Sequence, residues 1–405
     1  MLKNGFHLTY CTNIHPGESW SETFENIKEY IPGIKREVSA EKPFGIGLRL
    51  SNEASLELID PEKLKVFKDW LSANNCYVFT FNGFPYGGFH RQVVKDEVHQ
   101  PDWTTRERVA YTKRLLDILS ALLPEGMDGG ISTSPLSYRF WHKDRDELED
   151  AFRKSTLHLA AVAEKLYKIQ QSKGQFLHLD IEPEPDGMLQ NTAEVISYYK
   201  DWLVPIGSIY LMNHLGLSAE EAENCLKEHI RICYDVCHFA VVYEKPEEIF
   251  KAFKAEGIKI GKIQISAALK VNLPTDLEGR KEVERILLPF VESTYLHQVV
   301  AKNNTNGKLI SFKDLPQALE TLMETEMEEW RIHFHVPVFL SDYGKISSTQ
   351  SDIQDVLQYI QTDQVCNHLE VETYTWEVLP ESVNLDLGNS IVRELKWVGE
   401  NFKAS

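Results

Sequence analysis

Four residues in this sequence are spaced to do chemistry together: Glu182, Asp235, Gln264 and Glu372, each at the C-terminal end of a strand-like run. Three carboxylates and one amide oxygen form a hard, oxygen-rich donor set. It suits a divalent metal ion, Mn2+ or Mg2+ before Zn2+ or Co2+, and differs from the sulfur-rich set of a structural zinc. Such a centre can acidify a C–H beside a carbonyl, with Glu182 and Glu372 removing and returning the proton. His238 follows in Asp235-Val236-Cys237-His238, placed to ligate, to hold a substrate oxygen or to shuttle a proton. His333 and His335 share one face of a strand-like run, His15 follows the first strand and Asn82 the third; these four are expected substrate contacts. Each residue alone has a plainer reading, as a helix cap or a core hydrogen-bonding group. Recurrence at successive strand ends is what favours a shared site.

The strands that carry these groups alternate in character. Leu177, Leu179 and Ile181 interleave with His178, Asp180 and Glu182; Ile232, Tyr234 and Val236 with Arg231, Cys233 and Asp235. Ile263 and Ile265 interleave with Lys262, Gln264 and Ser266; Leu369 and Val371 with His368, Glu370 and Glu372. One face is apolar and suited to packing on helices; the other would point inward. Burying so many ionisable groups costs several kcal/mol each unless they are paired or ligate a metal. Antiparallel strands with one wet face would alternate equally well, but helical patterns between the strands argue for a parallel sheet.

Strand-like and helix-like segments alternate throughout the 405 residues. Strands are expected at Phe6–Tyr10, Phe44–Leu50, Tyr77–Phe81, Gly129–Ser134, Phe176–Ile181, Ile230–Val236 and Ile258–Ile265. Capping boxes at Ser19/Glu22 and Ser218/Glu221, and Asp60-Pro61, mark helix starts. Two later runs, Ile332–Val338 and Leu369–Thr373, compete for the eighth strand; Leu369–Thr373 is assigned to it and Ile332–Val338 to a segment over the barrel mouth. The result is a single-domain α/β (β/α)8 TIM barrel spanning 1–405, with a mostly helical insertion at about 269–330 between strands seven and eight. A doubly wound open sheet is the alternative, but its Gly-rich phosphate turn is missing.

Composition narrows the function. A formal net charge of -18 and no Lys/Arg cluster speak against nucleic acid as a partner. No apolar run approaches a membrane span, and no signal core opens the sequence, so no membrane insertion and a cytoplasmic location are expected. The six cysteines form no Cys-x-x-Cys pair and read as reduced thiols. The loop Asn82–His90 lacks the Lys-Ser/Thr of a phosphate cradle, and neither a Gly-x-Ser-x-Gly elbow nor a local cysteine-nucleophile signature occurs.

Glu182, Asp235-x-x-His238 and Glu372 resemble the metal and acid–base set of the xylose-isomerase-like barrel superfamily. More closely, Leu8–Trp20, Asn82–His90, Pro101-Asp102-Trp103, His335–Phe339 and Glu370–Trp376 resemble the metabolite traffic protein EboE family over nearly the whole chain. The resemblance implies an isomerase-like barrel acting beside other enzymes of one pathway on a small polar, polyhydroxylated, cyclitol-like metabolite. Gln264 stands where many members of the superfamily have histidine, which puts isomerisation specifically in question. The expected function is a metal-dependent sugar or cyclitol isomerase, epimerase or dehydratase. The alternatives are a non-catalytic metabolite-binding barrel and an endonuclease IV-like metal hydrolase.

Overall fold

The computed structural model describes residues 1–88, 94–291, 295–374 and 386–402. Eight parallel strands form its centre: β1 (Phe6–Tyr10), β2 (Phe44–Arg49), β3 (Cys76–Asn82), β4 (Gly129–Thr133), β5 (Leu177–Ile181), β6 (Ile230–Asp235), β7 (Ile260–Ile265) and, after an insertion, β13 (His368–Val371). Each pairs with its neighbour in the order β1-β13-β7-β6-β5-β4-β3-β2. The ring closes between β1 and β2 through the parallel bridge Cys11–Gly47, with threonine hydroxyls standing in for the ladder. Thr9 Oγ1 accepts from Gly47 N at 3.1 Å and Thr12 Oγ1 from Arg49 N at 2.9 Å. The chain is a (β/α)8 barrel, and the run at 369–373 does close it, pairing with β1 on one side and β7 on the other.

The apolar face packs outward on the helices. Leu177, Leu179, Ile181, Ile232, Ile263 and Leu369 are all fully buried there, each burial contributing about 1.5–3 kcal/mol. The helices begin where their caps predict. Ser19 and Ser218 make capping boxes with Glu22 and Glu221, and Asp60 caps the helix that Pro61 opens. The six cysteines are free thiols.

The other face fills the barrel interior with paired polar groups. Towards the N-terminal end, Asp180 Oδ1 lies 2.6 Å from His178 Nδ1, and Asp128 approaches His178 and His368. One layer up, Lys262 donates to Glu370 at 2.6 Å, both side chains wholly buried. These long side chains fit because glycines face them. A Cβ on Gly47 would sit 1.9 Å from Glu370 Oε1 and 2.8 Å from the Tyr10 carbonyl oxygen. Gly47→Ala is therefore expected to destabilise by ~1–3 kcal/mol, the usual cost of overpacking. Urea unfolding measures it, and a change within error of zero would contradict the close-approach argument.

The insertion departs from expectation. Its residues include helices at Leu277–Leu287 and Leu315–Thr321, but its framework is an antiparallel sheet, not mostly helix. The strands are β8 (Ala267–Asn272), β9 (Val299–Lys302), β10 (Leu309–Phe312), β11 (Glu329–Val336) and β12 (Ser347–Ser348), ordered β10-β9-β11-β8-β12. Ala267-Ala268-Leu269-Lys270 has strong helix propensity. It becomes a strand because the chain leaves β7 with only Ser266 between and pairs with β11. Tertiary pairing overrides local preference here. The sheet lies at the C-terminal mouth of the barrel, where β11 carries His333 and His335.

Candidate active site

A pocket opens at the C-terminal mouth, lined by barrel-borne Asn13, Asn82, Glu182, Glu184, His238 and Glu372 and by Gln298, His333 and His335 of the insertion. Phe84, Pro85, Tyr295 and Tyr374 wall it. Glu182 leaves the end of β5, its amide bonded to the Thr133 carbonyl at 2.9 Å. Asp235 ends β6 and caps the helix Val236–Val241. Its Oδ1 accepts from His238 N at 3.0 Å and Ser266 Oγ at 2.7 Å. One oxygen is thus a helix cap, and the other, Oδ2, is buried with no hydrogen-bond partner among the described residues. Glu182 Oε2 is in the same condition. Glu372 is held by three amides: Asn13 at 2.7 Å and Asn82 at 2.9 Å on Oε1, and Gln264 on Oε2.

One oxygen each of Glu182, Asp235 and Glu372 lies within 4.8 Å of the others. Burial, then the charges of Glu372 and Asp235, hold the Glu182 carboxyl well above the usual carboxylate range. Burial, then Asp235 and Glu370, does the same to Glu372, outweighing Lys262 and the Asn13 hydrogen bond. Three carboxylates this close and this dry cannot all ionise without a compensating cation. Partnerless oxygens and a hard donor set fit a divalent ion at these three residues. Gln264 is turned differently. Its amide nitrogen faces Glu372, while its oxygen accepts from Cys233 Sγ at 2.8 Å. In this rotamer it steadies the carboxylate and does not present an oxygen to the centre.

The histidines gather on the insertion side. His238 Nε2 lies 3.1 Å from His333 Nε2, and His335 Nε2 lies 3.9 Å from Asp235 Oδ2. Burial and the neighbouring imidazoles push His333 well below the ordinary histidine value, and burial lowers His335 to about 4, against the pull of Asp235. Both rings are therefore neutral near pH 7. Asn82 lines the cavity, but its amide is engaged by Glu372 and by Phe84 N. His15 does not line the cavity. It bonds Tyr10 at 2.9 Å and stacks on Tyr30. Of the quoted motifs, Phe89, His90, Thr375 and Trp376 lie outside the described residues.

Sequence reasoning missed Asn13, Glu184, His99 and Gln298 as site residues. Glu184 had a signal in the doublet Glu182-Pro183-Glu184-Pro185, where alternate prolines stiffen a strand exit. Asn13 follows the first strand closely enough to have been considered. His99 ends a short 3-10 helix, Lys95–His99, and Gln298 immediately precedes β9; no sequence pattern marks either.

No family model and no curated relative matches this chain. Among solved structures, a xylose isomerase-like TIM barrel protein from Mycobacterium smegmatis in complex with magnesium aligns with TM-score 0.49 and 9% identity, over 99% of this chain and 98% of that one. The IOLI protein with a bound zinc atom aligns with TM-score 0.48 and 11% identity, over 98% of each chain. The probable 3-DHS dehydratase AsbF of Bacillus anthracis aligns with TM-score 0.42 and 10% identity, over 96% of this chain and 97% of that one. Likenesses this distant say nothing about chemistry, which has to be argued from the site itself. No helix among the described residues is long and apolar enough to cross a membrane.

Proposed function

We propose that the chain is a divalent-metal-dependent enzyme that moves a proton beside a carbonyl group of a small polyhydroxylated substrate, as an isomerase, epimerase or dehydratase. The buried triad of Glu182, Asp235 and Glu372, with partnerless oxygens on two of its members, carries this reading. A divalent ion held there would supply Lewis acidity towards a carbonyl and a neighbouring hydroxyl. The chain does the rest. Glu182, with one oxygen that has no hydrogen-bond partner among the described residues, is suited to take a proton from carbon and return it. Glu372, fixed by Asn13, Asn82 and Gln264, is the positioned partner on the other side. The neutral His335 ring and the aromatic wall of Phe84, Tyr295 and Tyr374 would orient hydroxyls and exclude water. The resemblance of Leu8–Trp20 to the EboE family fits a cyclitol-like substrate and a place among other enzymes of one pathway.

The test is direct. Strip divalent ions, restore Mn2+, and follow deuterium incorporation from solvent into a panel of ketoses and cyclitol ketones by NMR. Metal-dependent exchange into at least one of them is expected. A purified chain that retains no divalent metal and exchanges none of the panel contradicts the proposal.

A further inference from the structure

The hydrogen bonds around two histidines engage Nδ1 of each ring and so orient both. His238 Nδ1 lies 3.0 Å from the Pro183 carbonyl oxygen, which can only accept, so Nδ1 donates. Gln298 Nε2 donates to the Pro185 carbonyl at 3.2 Å, which turns its Oε1 to His333 Nδ1 at 2.7 Å. His333 Nδ1 therefore donates as well. With Nδ1 of both rings engaged, Nε2 is the nitrogen each presents to the cavity, and the two Nε2 atoms face each other at 3.1 Å. Glu184 joins them, with Oε2 4.0 Å from His238 Nε2 and Oε1 held by His99 Nε2 at 2.8 Å. The three residues are buried, and their ligand atoms all lie within 4.8 Å of one another.

We infer that Glu184, His238 and His333 form a second metal site, of mixed nitrogen and oxygen donors, beside the all-carboxylate site. Two imidazoles and one carboxylate select Zn2+ or Co2+ over Mg2+. Ligand atoms around a tetrahedral zinc stand roughly 3.3 Å apart, given metal–nitrogen bonds of about 2.0–2.1 Å; the observed 3.1 and 4.0 Å bracket that figure. The supporting contacts have the form that metal sites use. Each histidine donates its second N–H to a fixed oxygen, and the carboxylate is itself hydrogen-bonded. The two donor sets adjoin, with His238 Nδ1 3.9 Å from Glu182 Oε1. The site also gives the insertion a task, since His333 and Gln298 come from it while Glu184 and His238 come from the barrel. This inference does not depend on the proposed proton-transfer chemistry.

The test is zinc stoichiometry. The full-length chain is stripped, loaded with Zn2+, desalted and analysed for metal, alongside His333→Gln, Glu184→Gln and Glu182→Gln, with circular dichroism confirming each fold. Two equivalents are expected in the unmodified chain. His333→Gln and Glu184→Gln should lose one, and Glu182→Gln should lose the other. A single equivalent that vanishes in Glu182→Gln but survives both other substitutions overturns the second site and leaves the carboxylate site standing. A single equivalent with the opposite dependence supports the second site, and the carboxylate site is then judged by its Mn2+-dependent exchange alone. No retained zinc overturns the second site. Should a variant fail to fold, Co2+ titration of the unmodified chain decides. A nitrogen-containing site of low coordination number gives intense visible d–d absorption, and the weak spectrum of an all-oxygen octahedral site would overturn the inference.

Discussion

Glu182→Gln is expected to lower solvent-proton exchange at the substrate carbon by about 10^2–10^4-fold, the usual contribution of a positioned acid–base group, and at the same time to make the metal-free chain more stable. The two effects come from one arrangement. Glu182 shares a buried pocket with Asp235 and Glu372, and burial plus their charges raise its proton affinity. The sign of the pH effect follows. A carboxylate whose folded-state value lies above its unfolded one binds more protons folded than unfolded in the intervening pH range. Stability of the metal-free protein therefore falls as pH rises from the unfolded value of about 4.3 towards the raised folded one. A neutral amide removes one member of the repelling set and flattens that fall. Metal reverses the order, stabilising the unmodified chain more than the variant. Thermal unfolding between pH 5 and 8, with and without Mn2+, measures all three trends. A variant that is catalytically dead yet less stable without metal would mean that Glu182 holds the fold together and that the carboxylates do not repel.

How far the sequence foretold this site depends on the element that supplies each residue. Glu182, Asp235 and Glu372 were legible because a strand has period two and the barrel strands are short. A polar residue in phase with His178, with Cys233 and with Glu370 has to emerge at the mouth. The same phase argument located Lys262 and Glu370 inside. What periodicity could not supply was the partner of each group. Gln264 was in phase, but whether its oxygen or its nitrogen faces the centre is decided by Cys233, on the neighbouring strand. Asp235 was both things at once, a cap through one oxygen and a site residue through the other. His15 was misleading for a related reason. It follows a strand at the mouth, yet Tyr10 and Tyr30 draw the ring sideways.

The insertion was the least legible part of the chain. Its strands are short, β8 reads as helix by composition, and they pair at sequence separations that no local pattern encodes. Val299 sits opposite Ile332 and Trp330 opposite Val271. His333 and His335 both line the pocket, although the pairing of their strand with β8 is irregular between Ile332 and Val336. What was missed is that Gln298, brought alongside by the same sheet, fixes the His333 ring.

Lys262→Met is expected to be the most destabilising single change in the barrel interior, by about 3–5 kcal/mol, the range for removing one partner of a buried ion pair. Lys262 and Glu370 are both wholly buried and 2.6 Å apart. Lys262 Nζ is the hydrogen-bond donor to Glu370 Oε2, and Glu370 Oε1 has no hydrogen-bond partner among the described residues. Taking the ammonium away therefore leaves a carboxylate with no compensation, and its cheapest response is to bind a proton. The loss should shrink as pH is lowered towards 5, and Lys262→Met combined with Glu370→Gln should recover most of it, because an uncharged pair needs no counter-ion. The consequence reaches the site. Glu370 lies two residues before Glu372, and Lys262 two before Gln264, so the pair sits directly beneath the carboxylate centre, and its positive charge opposes the rise in proton affinity of both Glu182 and Glu372. Lys262→Met should accordingly steepen the pH-dependent loss of stability in the metal-free chain, an effect opposite in sign to that of Glu182→Gln. Denaturant unfolding of the single and double variants separates the two contributions. A single variant within about 1 kcal/mol of the unmodified chain at pH 7, well short of what a stranded buried charge costs, would mean that the interior admits enough water to replace the ammonium. The same wetness would weaken the electrostatic case for a cation at the layer above.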